Sequence, residues 1–328
     1  MRMVNIAVKK YLVIATIIIL SLSCNSRRSL EAGGLRLVEM ENSGVARSFL
    51  VHVPKNKTAT LSPLLVVLHG AGGTAESVVK LTKQRFNELS DRDGFYVAYP
   101  SGLGKIWHAV DDVGFIAAMI NRLASEYTID KGRIFIAGIS NGGLMSLRLA
   151  CSLPGIRGIA AVAAAHLAGQ EVTCALSRPI NVMIINGTDD PIVPYDGGDV
   201  KLLGIKRGRV VPTDDTVRFW VGFNKCRGNG EEELLPDTDP DDRTRVKKIS
   251  YNTCDGGTRV VLFRVEGGGH TWPGGWHYIP SGFIGYTSKD INACDEIWKF
   301  FKSSRFQSRD GRFLFPDTQE HIEEKNTE

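Results

Sequence analysis

The chain alternates short aliphatic and β-branched runs with longer stretches of helical periodicity. Ser48–Val53, Leu64–His69, Phe95–Tyr99, Arg133–Ile139, Ile159–Ala165, Asn181–Ile185 and Val260–Val265 read as strands. Several are nearly continuous aliphatic runs, the pattern of parallel strands covered on both faces. Between them Glu76–Leu89, Val113–Ser125, Gly143–Ser152 and Ile291–Lys302 read as helices. This alternation predicts an α/β fold, with a mostly parallel central sheet and helices on both faces. No repeat and no Pro/Ser-rich linker divides the body, so one domain is expected over residues 46–302, with a linker at 25–45 and a polar extension at 303–328.

The first 24 residues differ from the rest. Arg2, Lys9 and Lys10 precede an uncharged, apolar run from Tyr11 to Ser23, too short to span a bilayer as a helix, which takes about 20 residues. A basic start, a short apolar run and a small-residue exit describe a secretory signal peptide. Cys24 follows Leu20-Ser21-Leu22-Ser23, where a lipoprotein cysteine would stand. Lipidation at Cys24, with attachment to the cell envelope, and simple cleavage with release are both open.

Composition narrows the class. The chain has 328 residues, of which 43% are hydrophobic and 23% charged, a globular balance. Lys+Arg 40 against Asp+Glu 36 gives +4 with no basic block, so neither nucleic acid nor an acidic lipid surface is implied as a partner. Besides Cys24 there are Cys151, Cys174, Cys226, Cys254 and Cys294, a set that suits two bridges and one free thiol in an oxidising compartment. None forms a C-x-x-C pair, and no metal site is expected. Asp237, Asp239 and Asp241 alternate as in a calcium loop, but Asp242 replaces the glycine and Lys248 the terminal acid. Arg227 to Lys248 therefore reads as a solvated excursion.

The chemistry gathers at strand ends. Gly138-Ile139-Ser140-Asn141-Gly142 lies between an aliphatic run and a helical run, the context of a nucleophile elbow. A serine hydroxyl needs a base. Among seven histidines, His270 stands out in a glycine-rich loop, Gly267–Gly275, just beyond the strand Val260–Val265. An acid must orient that imidazole. Asp190, before Pro191, is the choice, with Asp189 as the alternative; Asp111 and Asp112 read as caps of the helix near Val113. Serine, acid, then histidine is the order of α/β-hydrolases. His69-Gly70-Ala71-Gly72-Gly73 follows another strand, and its Ala71 N–H with that of Asn141 would form an oxyanion hole. Trp107 and Trp272 are candidates for an aromatic substrate surface, with loop packing as the alternative.

Leu64–Gly73, Asp111–Ile116, Gly138–Gly143, Asn186–Gly198 and Gly267–Gly275 together resemble the secreted polyhydroxybutyrate depolymerase and feruloyl esterase family, from about Arg47 to Phe301. The resemblance implies the α/β-hydrolase fold, Ser140 as nucleophile, His270 as base, Asp190 as acid and no cofactor. It also implies a Cys226–Cys254 bridge, leaving the pairing of Cys151, Cys174 and Cys294 open. Asn186 stands where relatives often carry histidine, and Ala71 where many carry cysteine or glycine. No polymer-binding domain or Thr/Ser-rich linker follows the body, which points away from solid polyester. The expectation is an exported serine carboxylic-ester hydrolase acting on a small or polymeric ester. Two rivals stay open: a peptidase on the same fold, and a non-catalytic glycan-binding surface lipoprotein.

Overall fold

Ser43 and Gly44 both take positive φ, 53° and 76°, the two-residue turn whose twist suits a hairpin. It joins β1 (Leu35–Asn42) to β2 (Val45–His52), with Asn42 opposite Val45. The linker expected at 25–45 is thus corrected, because its second half is a strand of the main sheet. The computed structural model describes residues 34–56, 60–108, 111–169, 174, 178–202 and 204–304. The signal-peptide reading, Cys24 and the extension beyond Ser304 lie outside the described residues.

Six strands form the parallel centre: β3 (Ser62–Leu68), β4 (Tyr96–Pro100), β5 (Ile129–Ile139), β6 (Ile156–Val162), β7 (Asn181–Gly187) and β12 (Val260–Glu266). Antiparallel strands flank them, β1 and β2 beyond β4, and β11 (Arg245–Tyr251) and β10 (Glu231–Leu234) beyond β12. The full order is β1-β2-β4-β3-β5-β6-β7-β12-β11-β10. β8 (Gly198–Leu202) and β9 (Ile205–Val210) make a separate hairpin.

Strand pleating sorts the core into two layers. Leu64, Val66 and Leu68 of β3 join one cluster with residues of α3 (Asp111–Glu126), α4 (Asn141–Ser152) and α5 (Thr213–Phe223). Leu65 and Val67 join the other with α1 (Ala75–Leu81), α2 (Arg85–Asp93) and α7 (Ala293–Lys302). Aliphatic runs buried on both faces are therefore why the central strands read so clearly.

The helix expected over Glu76–Leu89 is two helices. Thr74 caps α1 in a reciprocal box with Ser77, and the chain breaks where Lys83 and Gln84 take positive φ. The excursion expected over Arg227–Lys248 contains β10 and the start of β11. β10 is fully exposed at the sheet edge, which explains its polar sequence. Asp242 accepts from the Thr244 and Lys289 N–H groups and ties that loop down. Disulfides join Cys226 to Cys254 and Cys151 to Cys174, and Cys294 is a buried free thiol.

Candidate active site

The carboxyl ends of β3, β5, β7 and β12 share one edge, because these strands run parallel. The chain crosses from β3 to β4 on one side and reaches β5 on the other, so the edge beyond β3 and β5 is a topological switch point. Hydrogen bonds stitch the loops along it. Ser140 N–H donates to Val162 O at 2.8 Å, Ala163 N–H to Ile185 O at 2.9 Å, and Asp189 N–H to Gly268 O at 2.9 Å.

Ser140 is the first of these loop residues. It holds φ 57° and ψ −122° between β5 and α4, a strained conformation for a residue with a Cβ. The turn survives because the next strand's loop presses against it at glycine. A Cβ on Gly142 would stand 2.5 Å from His69 O and 2.6 Å from Leu68 O. In return, the loop after β3 crosses the serine closely: a Cβ on Gly70 would lie 3.4 Å from Ser140 Cβ.

That loop is fixed by polar contacts. His69 Nε2 accepts from Gly102 N–H at 2.9 Å, so its proton sits on Nδ1 and points at Gly70 O, 2.7 Å away. Burial pushes the His69 pKa down, which keeps the ring neutral in this structural role. Gly72 N–H donates to Lys105 O and Gly73 N–H to Gly70 O. Among the described residues, the Ala71 and Asn141 N–H groups have no hydrogen-bond acceptor. Two uncommitted donors beside Ser140 can receive an oxyanion.

Asp190 and His270 meet across β7 and β12. His270 Nδ1 is 2.7 Å from Asp190 Oδ2, and both side chains are buried. The carboxylate only accepts, so Nδ1 carries the proton and Nε2 keeps its lone pair. Asp190 is itself held, its Oδ1 accepting from Ile192 and Val193 N–H at 2.8 Å each. Asp189, the alternative, is exposed and binds Thr188 instead. His270 is anchored by its backbone: its N–H donates to Ile284 O at 2.6 Å, and its carbonyl accepts from Tyr278 Oη at 3.1 Å. Among the described residues, no hydrogen bond within 3.5 Å joins Ser140 Oγ to His270. Contacts of this kind are often long in unliganded sites and tighten with substrate.

Other expectations change. Trp107 is 5% exposed, donates its indole N–H to His69 O at 2.8 Å, and packs its ring against that imidazole. Trp272 is 1% exposed and meets Phe86 edge-on in the core. Both therefore take the packing alternative, and the exposed aromatic surface expected of them is corrected. Asp112 is more than a helix cap: it is fully buried, paired with Arg47, and accepts the His108 N–H. It thereby anchors the loop that delivers Trp107. Asn186 spends its amide on Ala164 and Thr213. Sequence reasoning missed Tyr278, because nothing local marks a tyrosine whose partner is a backbone carbonyl. Among the described residues, no cluster of three or more His, Cys, Asp or Glu side chains could hold a metal ion.

Comparison with known proteins agrees with this architecture. The phospholipase/carboxylesterase family model matches residues 112–201. The "putative esterase NocK" of Nocardia uniformis subsp. tsuyamanensis is 30% identical over 284 residues, covering 80% of this chain and 81% of that one. Feruloyl esterase B of Piromyces equi is 29% identical over 253 residues, 71% of this chain but only 45% of that one. The solved acetyl xylan esterase from Aspergillus awamori superposes with a TM-score of 0.54 at 17% identity, over 81% of this chain and 98% of that one, a likeness of fold. The chain thus belongs to the α/β-hydrolase esterase family, and it is a carboxylic ester hydrolase.

Proposed function

We propose that the chain is an exported serine esterase in which Ser140, His270 and Asp190 act as a triad on feruloyl-type and related carboxylic esters. The observation that carries it is the buried 2.7 Å contact between His270 Nδ1 and Asp190 Oδ2, on the strand edge that also bears Ser140. Ser140 Oγ attacks the ester carbonyl while His270 Nε2 takes its proton. The Ala71 and Asn141 N–H groups receive the developing oxyanion. As the tetrahedral intermediate collapses, His270 gives its proton to the leaving alcohol, and Asp190 stabilises the imidazolium in between. Water activated by the same imidazole then attacks the acyl-enzyme, releasing the acid and restoring Ser140.

The feruloyl preference is supported by the activity named for the Piromyces relative, which this chain matches over part of its length. Export is supported by the basic-then-apolar start and by two disulfides, which persist in oxidising compartments. Cys24 is the residue at which a lipid anchor would be attached.

Hydrolysis of p-nitrophenyl acetate and butyrate by the mature protein, beside Ser140→Ala, tests the reading. Activity lost in the variant supports it and opens a screen of feruloyl, acetyl and hydroxybutyrate esters against peptide substrates. Equal background in both folded proteins removes it.

A further inference from the structure

Nine large apolar side chains are exposed among the described residues. Five of them, Leu103, Trp276, Ile279, Phe283 and Tyr286, sit on just two connecting segments, the second of which includes the short helix α6 (Ser281–Ile284). Both are hydrogen-bonded to segments that carry groups of the site. The loop of Leu103 is held to the oxyanion side: Gly72 N–H donates to Lys105 O, and Trp107 N–H donates to Asn141 Oδ1, both at 2.7 Å. The loop of Phe283 is held to the histidine side. Ile284, the next residue, accepts the His270 N–H at 2.6 Å, and Tyr286 O accepts the Gly269 N–H at 2.9 Å. The backbones clasp so closely that a Cβ on Gly269 would stand 2.0 Å from Ile284 O. Phe283 therefore rides on the same rigid unit as the imidazole.

Trp276 and Tyr286 are engaged by cations, Lys80 at 4.0 Å and Arg243 at 5.3 Å from the ring centroids. Leu103, Ile279 and Phe283 remain, with Phe283 at 68% exposure and Leu103 at 49%. An apolar side chain left in water gains free energy when a ligand covers it. Concentrating such side chains on the segments tied to the oxyanion donors and to the histidine, instead of scattering them, favours a ligand with its own apolar bulk.

We infer that Leu103, Ile279 and Phe283 form an apolar rim that receives the bulky apolar part of the ester, and that this rim sets the selectivity for large over acetyl esters. The inference rests on the reading of Ser140 and His270 as the reacting groups. Trp107 and Trp272, being buried, are not part of that rim.

The test compares kcat/KM for p-nitrophenyl octanoate with that for p-nitrophenyl acetate in the mature protein. Phe283→Ser and Leu103→Ser should each lower the octanoate-to-acetate ratio about tenfold, chiefly through KM for octanoate, and Phe283→Leu should retain most of it. Leu61→Ser and Leu234→Ser, exposed apolar positions outside both loops, should leave the ratio within about twofold. A ratio unchanged in the rim variants, or an equal fall in the two controls, overturns the rim. Ser140→Ala is assayed in parallel: if it abolishes both activities while the ratio ignores the rim, the rim alone fails. If Ser140→Ala stays active, the underlying reading of the site fails instead.

Discussion

Asp190 Oδ2 lies 2.7 Å from His270 Nδ1, and the two side chains keep only 2% and 5% of their exposure. In so dry a setting the carboxylate fixes one tautomer of the ring and stabilises its cation. Asp190→Asn would preserve the volume, yet its amide would present a donor to Nδ1. On this account kcat falls on the order of 10⁴-fold while the far-ultraviolet dichroism is unchanged. A loss of less than about tenfold would mean that His270 does not depend on Asp190.

Tyr278 supports the same imidazole from the other end, donating to the His270 carbonyl. Burial pushes the phenol up to about 12, so the hydroxyl stays a donor at all working pH values. A hydrogen bond of this kind contributes about 0.5–1.5 kcal/mol. Tyr278→Phe should therefore lower kcat roughly two- to tenfold with KM little changed, measured by steady-state kinetics on one chromogenic ester. A change in KM alone would assign Tyr278 to substrate binding instead.

Much of this was legible in the sequence, for a physical reason. Strands such as Leu64–Leu68 are buried on both faces, so their aliphatic runs announce them. Ser140, Asp190 and His270 each follow such a strand, and loops at parallel strand ends share one edge. Elements with a solvent face were harder to read. β1 buries only Val38, and β10 buries nothing, so neither carries a hydrophobic run. The helix break at Lys83-Gln84 is a positive-φ turn made by residues that ordinarily favour helix. The direction of Trp272 depends on Phe86, far away in the chain, and local pattern cannot report that.

His166 predicts how stability responds to acid. Its ring is buried beside Phe219 and Trp220 with Nε2 unpartnered, and burial lowers its pKa to about 4 from an ordinary 6.5. The unfolded chain therefore binds a proton between those values that the folded chain refuses. Stability is full above pH 6.5 and declines as pH falls towards 4, by about 3 kcal/mol at most. Urea unfolding from pH 7 to 4 should show this slope, and His166→Phe should flatten it. An identical slope in the variant would place the acid sensitivity elsewhere.

The disulfides set a second stability term. Cys226 and Cys254 close a loop of sequence separation 28 around the end of α5, and Cys151 and Cys174 one of 23 behind α4. Chain-entropy arguments give about 3–4 kcal/mol for loops of this length. Thermal unfolding with and without reductant should show a lower Tm on reduction, and Cys226→Ser/Cys254→Ser should reproduce part of that fall. Unchanged Tm after verified reduction would contradict it.

The central claim is that Ser140 is the nucleophile, and covalent trapping tests it most directly. Mature protein treated with diethyl p-nitrophenyl phosphate should release one equivalent of nitrophenol, lose esterase activity, and carry a single diethylphosphoryl group on the peptide containing Ser140. Ser140→Ala should take up none. Stoichiometric labelling at another residue, or full activity with no label, would contradict the account.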